Sequence, residues 1–124
     1  MLSKNFLLVF PVVVRIPAQF QPILNLDEVD AAFNMPLELA LSSAAHRHQL
    51  IQWEGRPILL HFFDVYDTVQ ARVFVVWGMT SHALILAAHV AYLRPPEFGP
   101  LQPRNKIPVD VVRALFDKSI SSKL

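Results

Sequence analysis

Prolines divide this chain more firmly than any other residue type. Ten of them fall among its 124 residues, and a proline inside a helix removes a hydrogen bond and clashes with the preceding turn, costing about 3 kcal/mol. Pro11, Pro17, Pro22 and Pro36 break up the first third, Pro57 marks a turn, and Pro95 and Pro96 open a proline-rich stretch that ends at Pro108. Elements have to fit between these breaks.

Residues 6–16 are apolar and β-branched and are expected as a strand, with Pro11 placing it at an edge or at a break. The stretch around Pro17 and Pro22 reads as an extended loop, since a residue before proline disfavours helix. Next, Asn25 and Glu28 have capping-box spacing. Asp27 and Asp30 suit the positive end of a helix dipole, and Val29 and Phe33 fall four apart. A short helix closed by Pro36 is expected there, then a second short turn over 36–41. The polar run 42–49 reads as a loop. Residues 50–67 read as two β segments around Glu54-Gly55-Arg56-Pro57, joined by a hairpin-length connection to a further strand ending at Gly78. The composition of Val73–Trp77 marks that strand as buried. Thr80 is expected to cap a helix from about Ser81 to Leu93, with Leu84, Ala87, Ala88 and Ala91 at helical spacing. Arg94-Pro95-Pro96 stops it. Residues 97–108 are irregular, and 109–118 form a last amphipathic helix that buries Val111, Val112 and Leu115. The expected class is α+β: a mixed or antiparallel sheet, a short helix after the first strand and two C-terminal helices. Residues 1–117 make one domain, and 118–124 a free tail.

The surface of such a domain needs charge, and this chain is short of it. Apolar residues make up 53% and charged residues 17%, against about 45–50% and about 25% in ordinary domains. A membrane, a partner or missing domain neighbours would each account for the excess. No apolar run reaches the roughly 18–20 residues that span a bilayer. Lys4 followed by the apolar run Phe6–Val14 imitates a signal peptide, but Pro11 and Arg15 interrupt it and no small-x-small cleavage site follows. The net charge is +1 with scattered cations, so nucleic acid is not implied. The chain has no cysteine, which excludes disulfides, thiolate metal sites and thiol nucleophiles.

Candidate chemistry is sparse. His46 and His48 stand two apart, and His82 and His89 stand seven apart on one helical face. A metal would need further convergent ligands, and HExxH is absent. Asp27, Glu28 and Asp30 form the one tight acidic cluster, which the helix start explains without a cation. Asp64 and Asp67 flank Tyr66 near a turn and read as solvated. There is no G-x-S-x-G elbow. Gly55, Gly78 and Gly99 are the only glycines, so phosphate-binding loops of the Walker and Rossmann kinds are excluded. Trp53, Trp77 and nine phenylalanines read as core.

The order of pieces nevertheless resembles a known family. Pro22, Asn25, Glu28, Val29, Phe33, Pro36 and Leu37 match P-x-x-N-x-x-E-V-x-x-x-F-x-x-P-L, and Trp77-Gly78-Met79-Thr80-Ser81 matches a strand-to-helix junction of I-x-G-M/L-T-A type. From about residue 10 to 124 the chain resembles the second half of a Nudix hydrolase of the coenzyme A diphosphatase group, most closely the peroxisomal type. The resemblance implies a partial Nudix fold. It also implies coenzyme A or acyl-coenzyme A as substrate, cleaved to 3',5'-ADP and phosphopantetheine, with magnesium or manganese.

The departures weigh more. The box G-x5-E-x7-R-E-U-x-E-E-x-G-U, whose glutamates hold those cations in the family, is absent. No Arg-Glu or Glu-Glu pair occurs, no glycine has a glutamate six positions on, and the glutamates are Glu28, Glu38, Glu54 and Glu97 alone. The Phe-Pro-Gly-Gly run of the coenzyme A signature is missing too. Hence no catalytic, cofactor-binding or metal-ligating residue is assigned. The expectation is a truncated form — spliced, alternatively started or an incomplete gene model — that is inactive alone. The alternative is a non-catalytic binding or regulatory remnant. Ser122-Lys123-Leu124 has the form of a peroxisomal targeting signal, which makes an import receptor an expected partner.

Overall fold

The computed structural model describes residues 8–103. The class is α+β. A 3-10 turn, Leu37–Leu41, is followed by strands β1 (His46–Trp53), β2 (Arg56–Asp67) and β3 (Arg72–Trp77) and by helix α1 (Gly78–Tyr92). The strands form one antiparallel sheet with β2 in the centre. The expected helix over 109–118, the tail and Ser122-Lys123-Leu124 lie outside the described residues.

Turn chemistry sets the register. Glu54 and Gly55 both take positive φ (51° and 70°), as the two-residue type I′ hairpin requires, and they bring Trp53 opposite Arg56. The second hairpin turns through residues 68–71. The Asp67 carboxylate accepts the Gln70 N–H at 2.8 Å, and Ala71 takes φ 52° before Arg72. Gly78 (φ 69°) carries the chain from β3 into α1 without strain.

Side chains alternate across the sheet. His61, Phe63 and Val65 of β2 and Phe74 and Val76 of β3 point inward and are buried. Ala40 and Leu41 from the 3-10 turn and Ile85 and Ala88 from α1 cover them. The buried positions of α1 are Ser81, Ile85 and Ala88, four and then three residues apart on one face, while Ala91 is exposed. The helix begins at Gly78, ahead of the expected Thr80 cap, and Trp77 occupies the N-cap position without a side-chain hydrogen bond.

Four expectations change. Residues 9–16 carry no regular structure beyond a bridge at Leu8, and Val12, Val13 and Val14 are largely exposed. A β-branched run makes a strand only against a ladder, and Pro11 offers no N–H to one. Asn25 closes a single turn, its carbonyl accepting the Glu28 and Val29 N–H at 3.0 and 2.8 Å, and the expected helix does not continue. Tertiary contacts pull the chain away from it. Phe33 stacks on Phe74 with ring centroids 4.2 Å apart, and the Gln70 side chain donates to the Ala32 carbonyl at 2.8 Å. Further on, His46–Gln49 belong to β1 rather than to a loop. Finally, β3 is buried on one face only: Val73, Val75 and Trp77 are exposed.

Candidate functional site

The most organised polar chemistry lies on the inner face where β1 meets β2, under the segment Glu97–Gln102. His61 was not singled out by sequence, yet it is the most buried titratable side chain described, 2% exposed. Its signal was the alternation His61, Phe63, Val65, which puts it on the core face. Nε2 of His61 donates to the Leu101 carbonyl at 2.6 Å. That fixes Nδ1 as the acceptor, and Nε2 of His46 donates to it at 2.8 Å. Phe98 stacks on His46, centroids 3.6 Å apart. Gln102 completes the attachment: its side-chain amide accepts from Leu59 N–H at 3.0 Å and donates to Leu59 C=O at 3.1 Å. It thereby satisfies β2 backbone beyond the end of β3.

Burial pushes the His46 pKa down to about 4, helped by the neighbouring imidazoles of His61 and His48. Burial likewise lowers His61, against the opposing Leu101 hydrogen bond, and lowers His82. Both ring nitrogens of His61 are committed. The pair is held neutral and acts as a lock on the 97–102 segment, with no free imidazole nitrogen on His61 to move a proton.

Between the 3-10 turn and the end of α1 lies an open groove of about 320 Å³ lined by Pro36, Glu38, Leu39, Ser42, Arg94 and Glu97. Its charges are spoken for. Glu38 pairs with Arg94 at 2.8 Å. Glu97 accepts the Ser43 N–H at 2.9 Å and donates its own N–H to Leu41 C=O at 2.8 Å.

The acidic residues read from sequence do not converge. Asp27, Glu28 and Asp30 are exposed, and Asp30 lies 3.5 Å from Arg72. Asp64, expected to be solvated, holds Arg47 in a two-point pair at 2.9 and 3.1 Å, which lowers its pKa. Asp67 caps its hairpin. His48 and His89 are exposed. Among the described residues no group of three or more His, Asp or Glu side chains could hold a metal ion. A magnesium or manganese ion of the kind the family resemblance implies does not fit these side chains.

Comparison with known proteins finds relatives for most of the chain. The chain is 41% identical over 109 residues to Nudix hydrolase 15, mitochondrial, of Arabidopsis thaliana, a match covering 86% of this chain and 38% of that protein. Over most of its length the chain is similar to Nudix hydrolases. Nudix hydrolase 22, chloroplastic, of Arabidopsis thaliana is 39% identical over 107 residues, covering 85% of this chain and 35% of the relative. Peroxisomal coenzyme A diphosphatase NUDT7 of Mus musculus is 32% identical over 94 residues, covering 76% and 40%. The chain thus spans less than half the length of these relatives. No family model matches it. No helix among the described residues is long and apolar enough to cross a membrane.

Proposed function

We propose that this chain is the carboxyl-side part of a Nudix hydrolase that acts on coenzyme A or acyl-coenzyme A, and that by itself it is not a catalyst. The supporting observation is a conjunction: identity to Nudix relatives across most of the chain, one of them named a coenzyme A diphosphatase, in a sequence without the Nudix box. Splitting a diphosphate with metal help needs carboxylates gathered on one or two ions and a positioned water. The described acidic side chains are instead spent on Arg47, Arg72, Arg94, backbone N–H groups and solvent. What the chain contributes is a sheet wall and its packed helix, held by the His46–His61 lock. The catalytic part comes from residues corresponding to the unmatched length of the relatives.

The same reading takes Ser122-Lys123-Leu124 as an address for the peroxisomal import receptor, which needs a small residue, a cation and leucine at a free carboxyl end.

Purified chain is to be incubated with coenzyme A and Mg²⁺ or Mn²⁺, and 3',5'-ADP measured by chromatography. No product above the protein-free control is expected, and steady turnover would refute the assignment. For the address, a fluorescent tag fused ahead of Met1 should give punctate peroxisomal signal that disperses when the last three residues are deleted. Unchanged localisation would remove that part of the reading.

A further inference from the structure

Helix α1 is apolar on the side that faces water as well as on the side that faces the sheet. Gly78–Tyr92 holds no Asp, Glu, Lys or Arg. Ser81, Ile85 and Ala88 are turned to the core. The opposite side carries Met79, Ala83, Leu86 and Val90, with Leu93 at the carboxyl cap. These positions advance by four and three residues in turn, the spacing of a helix–helix seam. Met79 and Leu86 are each 42% exposed, Val90 72% and Leu93 89%. A helix that is apolar all round is one with cover on every side, and a cover for this stripe has to bring the charge that α1 lacks.

We infer that the Met79–Leu93 stripe of α1 is the docking surface for residues 109–118 of this same chain. Pattern, reach and size each select that occupant. At 3.6 residues per turn, Val109, Val111, Val112, Leu115 and Phe116 share one half of a helix, and Asp110, Arg113, Asp117 and Lys118 share the other. Laid on the stripe by its apolar half, the segment hides the uncharged helix behind a charged one. Its tether starts close by. The Gln102 side chain is bonded to the Leu59 backbone, and the Leu101 carbonyl accepts from His61 at 2.6 Å. The His61 carbonyl in turn accepts from the Ser81 hydroxyl of α1 at 2.9 Å. From residue 103 to residue 109 the chain can span about 20 Å, more than the roughly 10–12 Å diameter of a helix. A second copy fits less well. A 15-residue helix offers a strip about 22 Å long and about 10 Å wide, well below the about 800 Å² per partner of a stable interface. A tethered segment needs less, because its effective concentration is of millimolar order. A lipid surface would want free cations beside the stripe, whereas Arg94 at its end is paired with Glu38.

The chain's lack of cysteine leaves one introduced thiol to follow at a time. Val90→Cys on the stripe, Val69→Cys at the hairpin tip and Ala88→Cys on the buried side of α1 are made separately in the full chain. Alkylation of each is timed by mass spectrometry. Position 90 should react about tenfold or more slowly than position 69, which is 93% exposed. Adding Leu115→Asp and Phe116→Asp puts charge on the docked side of 109–118. Position 90 should then react within about twofold of position 69, while position 88 stays slow because sheet and helix remain folded. Position 90 as reactive as position 69 before the aspartates are added would overturn the inference. Protection that survives the aspartates would also overturn it, as would its loss at position 88 together with position 90. A doubled mass with position 90 protected would give the stripe to a second copy, and protection only on adding phosphatidylcholine vesicles would give it to lipid; either result overturns the inference. Coenzyme A cleavage is read in none of these arms, so they leave the proposed substrate to its own assay.

Discussion

The two faces of one sheet have opposite fates. The inner face carries His61, Phe63, Val65, Phe74 and Val76, all buried. Its polar members are bonded, and no buried side-chain nitrogen or oxygen among the described residues lacks a partner. The outer face mixes Ile58, Leu60, Phe62, Val73, Val75 and Trp77 with the Arg47–Asp64 pair, and Val73, Val75 and Trp77 stand about half in water. Each Å² of apolar surface removed from water is worth about 25 cal/mol, so the buried inner face contributes more to holding the fold together than the half-wet outer one. The lesson is that an apolar strand face is buried only where another element packs on it, as the 3-10 turn and α1 do on the inner side.

The sharpest way to break this comparison is to delete the same ring on each side of β2. Phe63→Ala removes a fully buried side chain and should cost about 3–5 kcal/mol in urea unfolding. The neighbouring Phe62→Ala should cost about 1 kcal/mol or less, because its ring is already partly wet. Equal losses would mean that the outer face is packed in solution.

A second prediction concerns the lock. The folded pKa of His46, about 4, lies below its ordinary 6.5, so the unfolded chain binds more protons between those values. The contribution to stability is complete above pH 6.5 and is lost as pH falls towards 4. His61 and His82 are shifted in the same direction. The urea midpoint should therefore drop on acidification from pH 7 to pH 4.5, and His46→Gln should make the drop shallower. A midpoint that rises on acidification would show that the imidazoles gain a proton on folding.

The smallest effect tests the turn that sets the register of both faces. Glu54 sits at φ 51°, where a branched or long side chain is disfavoured and asparagine is tolerated. Glu54→Asn should stabilise by about 0.5–1 kcal/mol. A loss would mean that the Glu54 side chain has a role that its backbone angle does not reveal.

Much of the sheet was legible in sequence. Gly55 beside Pro57 announced the first hairpin, and Arg72–Trp77 and the following helix were expected within a few residues. What failed had a common cause. The Asn25 capping box and the β-branched run 6–16 express only local preference, but a helix nucleus is unfavourable on its own and a strand needs a neighbour. Phe33 found Phe74, and Gln70 took the Ala32 carbonyl, so the local signal lost. The strand at His46–Gln49 was obscured by its polarity, which arises because Arg47 faces Asp64 while His46 faces His61. The lock was missed for a related reason: its parts, His46, His61, Phe98, Leu101 and Gln102, come from three separate stretches, and only folding brings them together. The missing Nudix box, by contrast, was fully legible, because a missing motif needs no coordinates.

On the reading proposed above, the chain gathers no carboxylates able to hold the ions that split a diphosphate, and among the described residues no such group occurs. Manganese electron paramagnetic resonance addresses it directly, since free aqueous Mn²⁺ gives a six-line signal that fades on tight binding. Titrating the purified chain against Mn²⁺ should leave that signal at its protein-free intensity. A stoichiometric, saturable loss of signal, reversed by adding Mg²⁺, would reveal a metal centre in this single polypeptide and contradict the account.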